Sequence, residues 1–156
     1  MCSNILCSIV KSFGGCSKDI IKPDITFYEI DSKQVAAELK ALNIATPLGL
    51  LDYGSPYYYT TLWGLNEAIG YIRKIYSFPK YEMPRRDCDD FAFLMKGLIS
   101  AEFGISDFGF ALGASPMGYH AFNIARIEDR RVLIEPQTGE IFELGERGYN
   151  PDKVTE

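Results

Sequence analysis

The middle of the chain reads RDCDDFAFLMKGLISAEFG over residues 86–104. The stretch predicts a helix, because Asp87 is a favourable N-cap, Asp89 and Asp90 place negative charge in the first turn, and a glycine follows the last apolar residue. Cys88 therefore lies at the amino terminus of this helix. The fold prediction extends outward from here in both directions.

The segments on either side of this helix have different periodicities. Before it, apolar residues recur at helical spacing and predict two further helices over residues 32–42 and 62–76. After it, the pattern changes to extended, and the predicted strands cover residues 108–112, 119–127, 131–135 and 140–144. This order predicts an α+β fold in which amino-terminal helices are followed by an antiparallel sheet.

Length and cysteine positions indicate the domain organisation. A chain of 156 residues, 47% hydrophobic and 24% charged, is long enough for one globular domain and too short for two ordinary ones. Cys2, Cys7 and Cys16 crowd a polar amino-terminal arm, an asymmetry that disfavours a disulfide framework. We therefore predict a flexible cysteine-containing arm over residues 1–22 and a single domain over residues 23–156.

Charge and hydropathy exclude several classes of protein. Sixteen basic and twenty-one acidic residues give a net charge of -5, and no basic stripe is present, which disfavours nucleic acid as a partner. Apolar runs fall short of the roughly 18 residues that suggest a membrane span. The arm makes a poor signal peptide, so a cytoplasmic location is the expectation, and the oligomeric state is left open.

Cys88 and His120, the single histidine of the chain, are the candidate catalytic residues. A nucleophilic thiol must ionise, and a helix amino terminus, a neighbouring imidazolium and partial exposure all favour the thiolate. His120 follows on a predicted strand that could pack against the helix. The structural alternative, a small core cysteine and an unrelated buried histidine, stays open, although the aspartates around Cys88 favour a polar helix start.

A third group usually holds the imidazole in its working tautomer. Glu135 and Gln137 follow on the next predicted strand and share one side of it. We prefer Glu135, because a carboxylate stabilises the imidazolium better than an amide. Asn123 is three residues from His120 and should point to the opposite face.

Three ordered motifs resemble a known family. They are RDCDDFAF over residues 86–93, MGYHAFN over 117–123 and LIEPQTGE over 133–140. Together they resemble the protease domain at the carboxyl end of a calcium-dependent mushroom agglutinin, and its small phage and bacterial relatives, over about residues 57–144. Nothing in the chain resembles the sugar-binding portion of that agglutinin.

The resemblance implies a papain-like or transglutaminase-like fold with a Cys-His-Glu triad on Cys88, His120 and Glu135. It also implies activation by calcium. Asp89 and Asp90 match the acidic pair that follows the nucleophile. The predicted oxygen-ligand set is completed by two further positions, Asn123 and Gln137.

The predicted function is that of a cysteine-nucleophile hydrolase acting on a peptide or protein substrate. A transglutaminase or amidase would use the same triad, since the two differ from a peptidase only in the second nucleophile and the cleft. The alternative from another class is a non-catalytic binding module that keeps the fold, for instance one associated with a phage or its host.

Overall fold

The computed structural model describes residues 20–46, 55–83 and 85–155, so that Cys2, Cys7, Cys16 and most of the predicted arm lie outside the described residues. In chain order the elements are β1 (Phe27–Ile30), α1 (Ser32–Ala41), β2 (Tyr57–Thr60), α2 (Leu62–Ile75), α3 (Cys88–Phe103), β3 (Phe108–Ser115), β4 (Gly118–Ile127), β5 (Arg130–Glu135), β6 (Glu140–Glu143), a 3-10 turn (Glu146–Gly148) and β7 (Asn150–Thr155).

The first two helices begin at side-chain caps. Asp31 accepts a hydrogen bond from the Lys33 N–H at 2.8 Å, and Thr61 accepts one from the Gly64 N–H at 3.0 Å. Each cap satisfies a backbone donor that has no partner inside its helix. Both helices then bury an apolar stripe, which includes Val35 in α1. Packing of these stripes fixes α1 and α2 against the sheet.

Helix α3 begins at Cys88, as the sequence predicts. Asp87 precedes it in an extended conformation, and the Asp90 carboxylate accepts a hydrogen bond from the Asp87 N–H at 3.2 Å. Gly104 ends the helix at φ 71°, a left-handed conformation that side chains with a Cβ rarely adopt. The start of α3 is thus fixed by its acidic first turn, and this positions the thiol.

The predicted α+β class, with amino-terminal helices followed by an antiparallel sheet, is wrong. The described residues form one seven-stranded mixed sheet with the order β1-β2-β4-β3-β7, and β5 joins β4 to β6. Strands β1 and β2 alternate with the helices, and β2 runs parallel to β4. The sequence analysis missed both strands because each has only four residues, and β2 lies directly before the α2 cap.

Strand β7 was also missed. Its sequence NPDKVT contains a proline and two charged residues, a composition that disfavours a central strand. It pairs antiparallel with β3 at the outer side of the sheet, with a register shift between Leu112 and Gly113. At an edge, a proline and exposed charges are tolerated because one side of the strand has no ladder to complete.

The sheet buries an apolar core on each of its two faces. Ala125 and Ile127 of β4 pack in the cluster that holds the apolar sides of α2 and α3. Phe122 and Ile124, which alternate with them, pack in the cluster that holds α1 and Tyr149. Strand alternation places His120 on the second face, and its ring lies 6.2 Å from that of Phe122.

Within the part of the chain that the structure describes, no helix is long and apolar enough to cross a membrane.

Candidate functional site

Cys88 occupies the first helical position of α3 with a free, partly buried thiol. It packs at the margin of a small apolar cluster formed by Ala92, Phe110 and Ala121. The first N–H groups of a helix have no acceptor within it, and their dipoles favour negative charge nearby. Cys88 therefore lies beside helix-start N–H groups that have no acceptor within the helix.

His120 and Glu135 form a buried pair. The His120 Nε2 lies 2.9 Å from the Glu135 Oε2, and both side chains are almost completely buried. An ionised carboxylate only accepts hydrogen bonds, so Nε2 carries the proton in the neutral ring and Nδ1 is the basic nitrogen. The pair thereby selects one tautomer of His120 and leaves Nδ1 to act as a base.

The Glu135 carboxylate is held by two further groups. Tyr149 donates its hydroxyl to Oε2 at 3.2 Å, and the Gln137 backbone N–H donates to Oε1 at 3.1 Å. Burial, followed by the charge of Glu135, raises the pKa of the Tyr149 hydroxyl, which therefore remains a donor. The Tyr149 ring also lies edge-on to the His120 imidazole at 6.1 Å. These contacts fix the carboxylate that orients the imidazole.

One cleft of about 600 Å³ brings the three predicted catalytic residues together. It is lined by Tyr81, Met83, Asp87, Cys88, Met117, Tyr119, His120, Glu135, Gln137, Thr138, Glu140 and Tyr149. The thiol of one element, the imidazole of a second and the carboxylate of a third thus face a common space. Trp63, an aromatic residue that could have lined such a cleft, is instead exposed at the start of α2.

Three carboxylates surround the start of α3. The oxygens of Asp87, Asp89 and Asp90 all lie within 4.8 Å of one another. A hydrogen bond with Asp89, burial, and the charges of Asp89 and Asp90 raise the pKa of the Asp87 carboxyl. Negative charge is thus concentrated at the start of α3, and carboxylate oxygens are of the type that calcium prefers.

The other two predicted metal ligands occupy different surroundings. Asn123 is fully buried, and its amide nitrogen donates to the Ala92 carbonyl at 2.9 Å and to the Gly109 carbonyl at 3.1 Å. Gln137 lines the cleft, and its backbone carbonyl accepts a hydrogen bond from Arg73. Asn123 thus ties α3 to the sheet, and a metal-binding role for either amide remains a prediction.

Sequence reasoning missed Tyr149 and identified Asp87 only as a cap. Tyr149 follows the 3-10 turn, and its approach to Glu135 depends on how β6 and β7 fold back. No local pattern signals that contact. Asp87 had a signal, because three aspartates within four residues exceed the needs of one helix start.

The described part of the chain is a mixed sheet with three helices, and its cleft lies at the start of the third helix. No protein-family model matches the chain, and no curated protein is recognisably similar to it. Solved structures share the fold. One is described as the PSL1a-E64 complex, with a TM-score of 0.53 and 20% identity over 82% of this chain and 50% of that one.

A second structure is Polyporus squamosus lectin bound to the human-type influenza-binding epitope Neu5Aca2-6Galb1-4GlcNAc, with a TM-score of 0.52 and 21% identity. The match covers 79% of this chain and 49% of that chain. The chain therefore spans about half the length of these structures. Identities at this level show a shared fold and leave activity and ligand open.

These comparisons correct the family assignment. The motifs predicted membership of a papain-like protease-domain family, but one of the structures that share the fold is described as a lectin, and no family model supports the prediction. The papain-like or transglutaminase-like fold and the membership of a cysteine-protease family are therefore wrong for this chain. Three short motifs in similar order proved too little to identify a family.

Proposed function

We propose that the cleft is the site of a cysteine-nucleophile hydrolase, with Cys88 as the nucleophile, His120 as the base and Glu135 as the orienting group. The observation that carries the proposal is the 2.9 Å contact between the His120 Nε2 and the Glu135 Oε2 in the cleft that Cys88 also lines. The proposal rests on this geometry and on no family membership.

The residues present support a two-step acyl transfer on a peptide or other amide. The Cys88 thiol gives its proton to the His120 Nδ1, and the thiolate attacks the carbonyl carbon, while the Cys88 N–H stabilises the oxyanion. The imidazolium then protonates the leaving amine as the C–N bond breaks, which leaves a thioester. Water, deprotonated by His120, attacks the thioester, and release of the carboxylic acid returns the thiol.

Reactivity of the thiol tests the proposal. At pH 6 an ordinary thiol with a pKa of about 8.5 is almost wholly protonated. Cys88 should therefore react with iodoacetamide faster than Cys2, Cys7 and Cys16, which peptide mass spectrometry can measure in one sample. E64, an epoxide that alkylates thiols and is named in the description of one structural neighbour, provides a bulkier probe.

Cys88→Ser and His120→Ala provide the matched comparison. The serine variant should lose labelling at residue 88, and the alanine variant should label Cys88 at the slow rate of the arm cysteines. Labelling of Cys88 at or below the rate of the arm cysteines in the unsubstituted protein would contradict the proposal.

The second candidate function is a non-catalytic binding module, and the comparisons favour it over the hydrolase. One structure that shares the fold is described as a lectin, and it is bound to a sialylated trisaccharide. The cleft also offers tyrosines and carboxylates, groups that stack on and hydrogen-bond to sugars. A carbohydrate ligand in the same cleft is therefore the second proposal.

Calorimetry with Neu5Ac, galactose and the trisaccharide itself tests this second candidate. Binding that Tyr119→Ala abolishes, in a protein whose Cys88 labels slowly, would favour the binding module. Rapid labelling of Cys88 without measurable binding of any of the three sugars would favour the hydrolase.

A further inference from the structure

Four large side chains with apolar surface stand exposed around the cleft. Met83 is 70% exposed, Met117 69%, Tyr119 59% and Tyr81 43%. All four line the cleft that holds Cys88. Single exposed apolar residues are ordinary, but a contiguous group rimmed by polar residues marks a surface that is covered in use. We refer to these four residues as the apolar rim.

The two tyrosines of the rim are fixed in place. The Tyr81 ring stacks on Phe91 at 6.3 Å, and Phe91 is buried one turn after Cys88 in the same helix. Tyr119 donates its hydroxyl to the Asp152 Oδ1 at 2.8 Å and precedes His120 on β4. Tyr81 is thus anchored to the helix that carries Cys88, and Tyr119 lies on the strand that carries His120. The two tyrosines of the rim therefore keep a constant position relative to the reacting groups.

The two methionines supply an adaptable surface in the same cleft. Methionine is unbranched and polarisable, and it fits apolar groups of different shape. Of the three carboxylates that line the cleft, Glu135 holds His120, Glu140 pairs with Arg147 at 2.9 Å, and Asp87 lies beside Asp89 and Asp90 at the start of α3. The rim itself carries no charge and gains from every apolar group that it covers.

We infer that the substrate carries a bulky, uncharged apolar side chain beside the carbonyl that Cys88 attacks, and that the apolar rim is its specificity pocket. This inference rests on the hydrolase proposed above. A substrate of this class would cover the exposed rim and hold the carbonyl carbon near the Cys88 sulfur. A glycine, aspartate or lysine side chain at that position would leave the rim exposed to water.

A series of peptidyl fluoromethyl ketones tests the inference, because these reagents alkylate a thiolate and can differ only in the side chain beside the carbonyl. Inactivation rates with phenylalanine and leucine reagents should exceed those with glycine, aspartate and lysine reagents by about tenfold or more, as expected for burial of one large apolar side chain. Modification of Cys88 is confirmed by mass spectrometry.

Variants of the apolar rim test which residues give the preference for an apolar substrate side chain. Met117→Ser and Met83→Ser remove exposed side chains, so both variants should fold, and each should reduce the ratio of the phenylalanine rate to the glycine rate by about three- to tenfold. Trp63→Ser, which removes an exposed aromatic residue that does not line the cleft, should leave the ratio unchanged. The ratio normalises any change in the intrinsic reactivity of Cys88.

The two proposals fail in different ways. Equal rates with all five reagents, together with rapid labelling by iodoacetamide, would overturn the apolar rim and leave the hydrolase standing. A Cys88 that reacts slowly with iodoacetamide and with every ketone would overturn both. A preference that persists in Met83→Ser and Met117→Ser alike would also overturn the assignment of the pocket.

Discussion

Two carboxylates are buried among the residues that the structure describes, and their partners differ. Asp107 is fully buried and pairs with Arg131, whose Nη1 and Nη2 lie 2.8 and 3.2 Å from its two oxygens. Glu135 is equally enclosed but is held by an imidazole, a phenol and a backbone N–H. The first set contains a permanently charged cation, and the second contains an imidazole, which is charged only when it is protonated.

The groups that surround the two buried carboxylates also differ. Arg126 and Arg131 both interact with Glu38, which completes a charge-balanced cluster beside Asp107. Burial raises the pKa of the Asp107 carboxyl, and the Arg131 guanidinium opposes that rise. The cleft beside this cluster, about 410 Å³, is lined by neither cysteine nor histidine. A buried carboxylate alone therefore does not mark a site, and the identity of its partner and the presence of a nucleophile distinguish the two regions.

Removal of the base should give the largest effect. His120→Ala should reduce turnover by about 10²–10⁴-fold, because no other group in the cleft can carry the proton from the thiol to the leaving amine. His120→Gln is the matched control, since its amide can still donate to Glu135 but cannot shuttle protons. Steady-state rates on an amide substrate should fall equally in both variants, and recovery of turnover in the glutamine variant would show that His120 only supports the fold.

Loss of the Arg131 cation should give the next largest effect, which is a loss of stability. Arg131→Met leaves Asp107 buried without its main partner and should lower the free energy of unfolding by about 3–5 kcal/mol. Arg130→Met is the control, because Arg130 is the sequence neighbour of Arg131 but is exposed and pairs with Glu143 at the surface, where such a pair is worth about 1 kcal/mol or less.

Urea unfolding measures both variants. Below the unfolding transition, Arg131→Met should keep the iodoacetamide reactivity of its folded fraction. A selective loss of Cys88 reactivity in that variant would mean that the two buried regions are coupled, and the comparison between them would fail.

The sequence contained the local determinants of α3 and of strands β3 to β6, but not those that place β1, β2 and β7 in the sheet. Asp87, the acidic first turn and Gly104 are consecutive signals, so the helix and the position of Cys88 could be predicted. The pairing of β2 with β4 depends on contacts between segments far apart in the chain, and no periodicity encodes it. The fold class was wrong for that reason.

The residues of the candidate site could also be predicted only in part. Cys88, His120 and Glu135 were predicted as residue types with a required chemistry, and the structure places them around one cleft. Tyr149 reaches Glu135 only because the chain after β6 turns back across the site, so its contact could not be predicted from spacing.

Substitution of Glu135, or of Tyr149, which holds it, should reduce turnover less than the loss of His120. Glu135→Gln removes the charge that stabilises the imidazolium and should reduce turnover by about 10–100-fold. Tyr149→Phe removes one hydrogen bond to the same carboxylate, worth about 1 kcal/mol, and should reduce turnover by several-fold. Rates of the two single variants and of the double variant form a thermodynamic cycle. Additive effects would separate Tyr149 from the triad, and Glu135→Gln with full activity would remove Glu135 from it.

The smallest expected effect concerns calcium at the acidic start of α3. Asp87, Asp89 and Asp90 oppose the thiolate that the mechanism requires, and a bound calcium ion would neutralise them. Calcium at about five times its Kd should add about 1 kcal/mol of stability, a rise in Tm of about 2–4 °C.

The raised pKa of Asp87 fixes the sign of the pH dependence. Asp87 keeps its proton to a higher pH than an ordinary aspartate, and its contribution to stability without calcium is present at low pH and lost as the pH rises through that pKa. Calcium binds the ionised carboxylates, so its affinity should fall as the pH decreases through the same pKa, and the Tm gain should be largest at neutral pH.

Asp89→Asn should remove the gain, whereas Asp129→Asn, which changes an exposed aspartate in the turn between β4 and β5, should retain it. A Tm that calcium and EDTA leave unchanged at neutral pH would reduce the three aspartates to a helix start, and the thiolate would then depend on His120 and the helix terminus alone.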